Sequence, residues 1–322
     1  MNITLLGCGR WGSFIAWYMN KIKHYNVTVW GREGDPLLDN LIKTRKNEYV
    51  EFSQDIILTH DLNKALNASD IVIISISAQG VRDLMSHVSQ IPNYKTKTFV
   101  LCMKGIEDST GKRLSEILIE FGVDKNNIAV WVGPGHIQEF TKMVPSCMII
   151  DSYNPSLAKQ LVQNFSSDLI RYYVGCDIIG SEIGAGAKNV MGIGAGMLDG
   201  LGYSVLKGAL MARGAYEVSK LISALGGNPI SAYGLCHLGD YEATLFSQFS
   251  HNRKFGEMFV KKEPFTKLAE GVATTSAMLK MAKKLNVDLP ITQAIYNILQ
   301  QKSNPKDILK ELFSRENKKE FN

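Results

Sequence analysis

The chain opens with a short apolar run, Ile3-Thr4-Leu5-Leu6, that stops on Gly7-Cys8-Gly9-Arg10-Trp11-Gly12. Glycines at these three positions, between a strand-like run and the amphipathic stretch 13–22, have few structural uses. The first permits a tight bend, the second lets backbone approach a pyrophosphate, and the third lets a helix pack closely on a strand. The opening turn of that helix then presents free amides and a positive dipole end to an anion. This glycine spacing alone is weak, because glycine is common. Its context strengthens it, since a second strand-like run at 27–30 completes the order strand, turn, helix, strand that a dinucleotide-binding turn requires.

The rest of the first half repeats that alternation. Strand-like runs lie at 71–76, 99–103, 128–132, 147–150 and 169–174, with amphipathic stretches such as 81–88 and 114–121 between several of them. The pattern predicts an α/β N-terminal domain of Rossmann type, a parallel doubly wound sheet with helices on both faces. From about residue 178 strand signals vanish. Helical patterns follow, broken near Gly226-Gly227-Asn228-Pro229, 261–264 and Leu289-Pro290. The expected division is a dinucleotide-binding domain over 1–179 and an all-helical, substrate-binding C-terminal domain over 180–322. The segment 180–202 is rich in Gly and Ala and would be a poor isolated helix, each interior Gly costing about 1 kcal/mol relative to Ala. Small side chains let neighbours approach closely, so this segment is placed as a buried helix at the centre of the molecule.

Composition narrows the function. Hydrophobic residues at 45% and charged residues at 21% describe an ordinary globular chain, not a disordered one. A net charge of +5 over 322 residues is too small to imply nucleic acid, though it suits a small anionic ligand. The five cysteines form no C-x-x-C pair or His/Cys cluster, so neither zinc nor a disulfide framework is expected. Absence of signal-peptide features and of an apolar run near the ~20 residues that span a bilayer makes a reducing cytoplasm the expected location.

Two charged side chains stand out. Arg32 lies just past the second strand-like run, where a carboxylate would bind the adenosine ribose of NAD; here only Glu33 is adjacent. Arg32 could stack on adenine or pair with the 2′-phosphate of NADP, so both cofactors stay open with a lean to NADP. Lys188 sits in the apolar 180–202 segment. Burial there would destabilise its ammonium and bring its pKa toward the working pH, as a proton donor to a developing alkoxide requires. A buried ammonium also needs an acidic partner.

Beyond the opening turn and Trp30-Gly31-Arg32, the chain carries Met103-Lys104-Gly105-Ile106-Glu107, Gly133-Pro134-Gly135-His136 and Gly186-Ala187-Lys188-Asn189-Val190. Later come Asp199-Gly200-Leu201-Gly202, Leu210-Met211-Ala212-Arg213-Gly214, Leu238-Gly239-Asp240, Ser250-His251-Asn252-Arg253 and Glu270-Gly271-Val272. In order and approximate spacing these motifs make the chain resemble NAD(P)-dependent glycerol-3-phosphate dehydrogenase, nearly end to end. The resemblance implies reversible hydride transfer between a nicotinamide and carbon 2 of dihydroxyacetone phosphate, a small phosphorylated substrate, commonly by a homodimer. It makes Lys188 the general acid/base, with Asn189 and Asp240 holding its ammonium and Asp240 and Thr244 lining the substrate pocket. Lys104 would touch substrate and cofactor. Gly133, Gly135, Ser250, His251 and Asn252 would border the substrate. Gly7, Gly9, Arg10, Trp11, Gly12, Arg32, Ile137 and Glu270 would border the cofactor.

The chain departs from that family where the substrate would bind. His251 replaces a usual Arg that contacts phosphate, and Gly135 replaces a usual Ser or Thr. A guanidinium is permanently charged and grips phosphate through two bonds, whereas imidazole is mostly neutral at pH 7. Arg253 or Lys254 could compensate if the loop shifts. These changes keep two other readings open: a related reductase of another small phosphorylated or acidic keto compound, and a non-catalytic dinucleotide-binding sensor. His136 is read as turn structure near the cofactor, and His237 as a packed or exposed histidine.

Overall fold

The computed structural model describes residues 1–301, 304–316 and 319–320. The first wind of the chain runs β1 (Asn2–Leu6), α1 (Arg10–Trp17), β2 (Asn26–Trp30), α2 (Pro36–Thr44), β3 (Ile57–Thr59), α3 (Leu62–Asn67), β4 (Ile71–Ile74). It continues through α4 (Val81–Val88), β5 (Thr98–Leu101), α5 (Leu114–Glu120), β6 (Ile128–Val132), α6 (Ile137–Phe140), β7 (Ser146–Ser152), α7 (Pro155–Phe165) and β8 (Ile170–Val174). Among the described residues these strands form one sheet in the order β3-β2-β1-β4-β5-β6-β7-β8. The central strands are apolar along their length because helices cover both faces; even Thr4 is buried, its hydroxyl donating to the Ala65 carbonyl at 2.6 Å.

Two features differ from the sequence reading. The sheet has one antiparallel pair, β6 with β7. The chain leaves β6 through the Gly133–His136 turn and the short α6, and re-enters from the same end instead of crossing back over a face. Strand β3, only three residues at the sheet edge, is too short to leave an apolar pattern.

The strand order reverses between β1 and β4, and there the connections leave toward opposite faces and open a crevice at the carboxyl ends of the strands. Gly7 turns the chain into that crevice at φ +114°, its amide bonded to the Trp30 carbonyl at 2.9 Å. A Cβ at Gly7 would lie 2.2 Å from the Ser75 oxygen, so no other residue fits between the ends of β1 and β4.

The second half is helical: α8 (Ile178–Leu201), α9 (Lys207–Ala224), α10 (His251–Lys261), α11 (Glu270–Leu285), α12 (Pro290–Leu299) and α13 (Pro305–Phe313). The predicted central helix is α8, buried along nearly its whole length. It is pinned to the sheet domain by a buried pair, Glu182 accepting from Arg113 at 2.7 Å and from the Ser115 amide and hydroxyl. Its glycines let α10 lie directly on its backbone: a Cβ at Gly196 would fall 1.8 Å from the Arg253 carbonyl oxygen, and one at Gly256 would fall 2.1 Å from that of Ile193. Gly196→Ala is therefore expected to lower the unfolding free energy by about 2–3 kcal/mol, although alanine is the better helix former. Urea denaturation reads this directly, and an unchanged midpoint would contradict so close a crossing.

Candidate active site

The crevice meets the helical domain at a cluster of four side chains. Lys188 projects from the middle of α8 and is 7% exposed; Asp240, in the tight turn Leu238–Asp240, is 1% exposed. Asp240 Oδ2 accepts from Lys188 Nζ at 2.8 Å and from Lys104 Nζ at 2.7 Å, Lys104 standing just beyond β5. Lys104 also donates to the Gly133 carbonyl at 2.7 Å, and Lys188 to Thr244 Oγ1 at 2.7 Å. The Thr244 hydroxyl spends its own proton on the Asp240 carbonyl, 2.7 Å away, so it can only accept from Lys188. Each ammonium has three N–H donors and uses two, leaving one apiece for a ligand.

The electrostatics follow from burial. Two cations face one carboxylate, so the cluster carries an excess positive charge suited to an anion. Burial lowers the Lys188 pKa to about 7, against the pull of Asp240, while the nearby Lys104 pushes it further down. Lys188 is thus poised to gain or lose a proton near neutrality. Among the described residues Asp240 Oδ1 is buried with no hydrogen-bond partner, an acceptor still to be satisfied.

Asn189 does not serve as expected. Its amide donates to the Lys104 carbonyl at 2.7 Å, so it fixes the Lys104 backbone, and Thr244 takes its place at the Lys188 ammonium. Asn252 likewise ties helices together, its Oδ1 accepting from the Gly271 amide at 2.9 Å, and Ser250 caps α10 by accepting from the Arg253 amide. His251 is half-buried with its ring edge-on to Phe265; burial and the positive charges of Arg10 and Lys267 lower its pKa, leaving a neutral imidazole. Arg253 does not compensate for it. Its guanidinium is held by Asp199 at 2.6 Å and Glu257 at 3.3 Å, while Lys254 is exposed. Gly135 offers only backbone, because a Cβ there would lie 2.4 Å from the Phe140 ring.

At the dinucleotide end, Gly9 stands before α1 with open space where its side chain would be, the cradle that a pyrophosphate needs. A Cβ at Gly12 would lie 2.3 Å from the Gly7 oxygen, which explains the third glycine. Arg10 is exposed on the first turn of α1, and Trp11 Nε1 is a buried donor without a partner among the described residues. Arg32 is exposed beyond β2. Glu270 closes the other wall, its Oε1 accepting from the Ala78 amide at 3.2 Å, and burial raises its pKa. Ile137 is 3% exposed and packs in the core, so its side chain has almost no surface for a ligand. These residues fit a dinucleotide. His237 is packed: fully buried, it bonds the Gly184 carbonyl at 2.8 Å and the Tyr241 hydroxyl at 2.6 Å, and burial lowers its pKa to about 4.

The family model described as NAD-dependent glycerol-3-phosphate dehydrogenase N-terminus matches residues 2–158, and that for the C-terminus matches residues 177–310. The chain belongs to the NAD-dependent glycerol-3-phosphate dehydrogenase family. A protein named glycerol-3-phosphate dehydrogenase [NAD(P)+] from Prosthecochloris aestuarii is 35% identical, with both chains covered in full. One of the same name from Thermoanaerobacter sp. (strain X514) is 33% identical over 100% of this chain and 99% of its own. A crystal structure of glycerol-3-phosphate dehydrogenase from Coxiella burnetii superposes with a TM-score of 0.88 at 25% identity, covering 98% of this chain and 99% of that one. In this glycerol-3-phosphate dehydrogenase family chain, the motif lysines and Asp240 converge although they are far apart in sequence.

Proposed function

We propose that the chain reversibly reduces dihydroxyacetone phosphate at carbon 2 to sn-glycerol 3-phosphate, with NADH or NADPH as reductant. The observation that carries this is Asp240 Oδ2 holding Lys188 and Lys104 together at 2.8 and 2.7 Å beside the glycine-rich crevice. When bound, a reduced nicotinamide would supply a hydride, two electrons with one hydrogen, to carbon 2. Lys188 supplies the other proton, through its one uncommitted N–H, to the carbonyl oxygen as that oxygen becomes an alkoxide. Asp240 and Thr244 keep the ammonium oriented, and Lys104 adds a second positive charge where negative charge develops. The Gly9 cradle, the amides opening α1, Trp11 and Glu270 would hold the cofactor. Arg32 would lie by the adenosine, which favours NADP.

The assembled acid argues against a mere sensor, which has no use for a buried proton donor. The test follows oxidation of NADH and NADPH by near-ultraviolet absorbance with a panel of phosphorylated, unphosphorylated and acidic ketones. Turnover confined to another keto compound would replace the substrate assignment, as the neutral His251 and the engaged Arg253 make worth checking. The family resemblance supports a homodimer, which sedimentation would measure. All five cysteines are free, in keeping with a reducing cytoplasm, and among the described residues no helix is long and apolar enough to cross a membrane.

Lys188 also sets a pH dependence. Below its pKa of about 7 the donor is charged; above it the proton is gone, so kcat/KM for ketone reduction should fall roughly tenfold per pH unit on the alkaline side. Oxidation of glycerol 3-phosphate needs the base form and should rise over the same range. A reduction profile that is flat from about pH 6 to pH 9 would contradict Lys188 as the acid.

A further inference from the structure

The turn that follows β6 contributes more than its backbone. His136 stands just before α6 as its N-cap, three residues past the Gly133 carbonyl that holds Lys104 Nζ at 2.7 Å, and lies near enough to Lys188 and Asp240 for both charges to act on its ring. Its Nε2 is buried and has no hydrogen-bond partner among the described residues. Phe249 packs edge-on to its ring, with centroids 5.6 Å apart, and fixes the imidazole in that position. The neighbouring Gly135 has no polar side chain and no room for one, because Phe140 fills that space while stacked on Phe14 at 4.9 Å. His136 is therefore the side chain through which this turn can address a ligand.

A buried nitrogen left unpaired is costly, and a fixed one in a ligand pocket is explained when the ligand completes it. Among the described residues, Asp240 Oδ1 at the cluster is likewise unpaired. That carboxylate oxygen requires a donor, such as a substrate hydroxyl, and repels a phosphate. The imidazole offers the opposite: burial lowers its pKa, with the negative charges of Glu139 and Asp240 set against the positive ones of Lys188 and Arg10, and so leaves a neutral ring with an N–H to give. We propose that His136 is a specificity-determining residue whose Nε2–H donates to a phosphate oxygen of the substrate, while Asp240 Oδ1 accepts from the substrate's free hydroxyl. The assignment rests on the reaction proposed above.

The test compares wild type, His136→Phe and His136→Gln, saturated with reduced cofactor, on dihydroxyacetone phosphate and on unphosphorylated dihydroxyacetone. One hydrogen bond to a charged oxygen corresponds to about tenfold to a hundredfold in affinity. His136→Phe should raise KM for the phosphorylated ketone by that factor with kcat within about threefold. His136→Gln, which keeps an N–H, should restore part of the loss, and kcat/KM for the unphosphorylated ketone should stay unchanged. The unfolding temperature of ligand-free His136→Phe should not fall, since an unpaired buried nitrogen is replaced by an apolar ring. A damaged pocket would instead lose stability and both activities together. An unchanged KM for the phosphorylated ketone, or equal losses on the two ketones, would overturn the assignment. If wild type reduces neither ketone, the proposed reaction fails; calorimetric titration with inorganic phosphate then decides His136, and equal affinity for wild type and His136→Phe overturns it.

Discussion

Replacing Lys188 by methionine is expected to lower kcat for ketone reduction by roughly 10²–10⁴-fold, the range supplied by a positioned general acid. Methionine matches the length of the side chain without its charge, so the pocket keeps its shape. Asp240 still pairs with Lys104, and Thr244 still bonds the Asp240 carbonyl. Unfolding temperature and cofactor affinity should therefore stay near wild type, because the substitution alters neither that remaining ion pair nor the residues proposed to hold the cofactor. Stopped-flow measurement of single turnovers separates this from slower product release. A loss of less than about tenfold in the chemical step would remove Lys188 from the role of acid. Weakened cofactor binding in parallel would show instead that the crevice had been disturbed.

Asp240→Asn should reduce both stability and turnover. Asparagine keeps the size and removes the carboxylate that Lys188 and Lys104 share. Breaking a buried ion pair by deleting one partner costs about 3–5 kcal/mol. Lys104 is partly exposed and water screens part of its share, so the lower end of that range is expected. The pH dependence gives a second signature. Asp240 raises the Lys188 pKa, so without it that pKa lies further below the ordinary 10.5. The folded variant then binds fewer protons at Lys188 than the unfolded chain, and its stability rises with pH toward 10.5. Urea midpoints of the variant should accordingly approach wild type in alkaline buffer and diverge from it in acid. Parallel stability curves for the two proteins would sink the shared-carboxylate account.

Much of the architecture was legible because it is local. Glycines at 7, 9 and 12 between two apolar runs specify a turn, and the structure places that turn at the reversal of the strand order. A lysine in the Gly and Ala run of α8 predicted its own burial, because that helix has no polar face on which to escape to water. Other elements left weaker traces. Strand β3 is too short for alternation, and the antiparallel entry of β7 depends on how α6 lands on α1, through Phe140 against Phe14.

The local order of residues by itself determined the two-part fold, the dinucleotide turn and the identity of the buried lysine, since periodicity and glycine spacing act over a few residues. Tertiary structure alone decided the partners. Asn189 bonds a carbonyl 85 residues away, not the adjacent Lys188, and Arg253 is captured by Asp199, not left for phosphate. Phe140 occupies the space beside Gly135, and His136 Nε2 and Asp240 Oδ1 are buried without a hydrogen-bond partner among the described residues. Which donor meets which acceptor depends on packing across long sequence separations, and hydrogen bonds discriminate over fractions of an ångström that no linear pattern encodes.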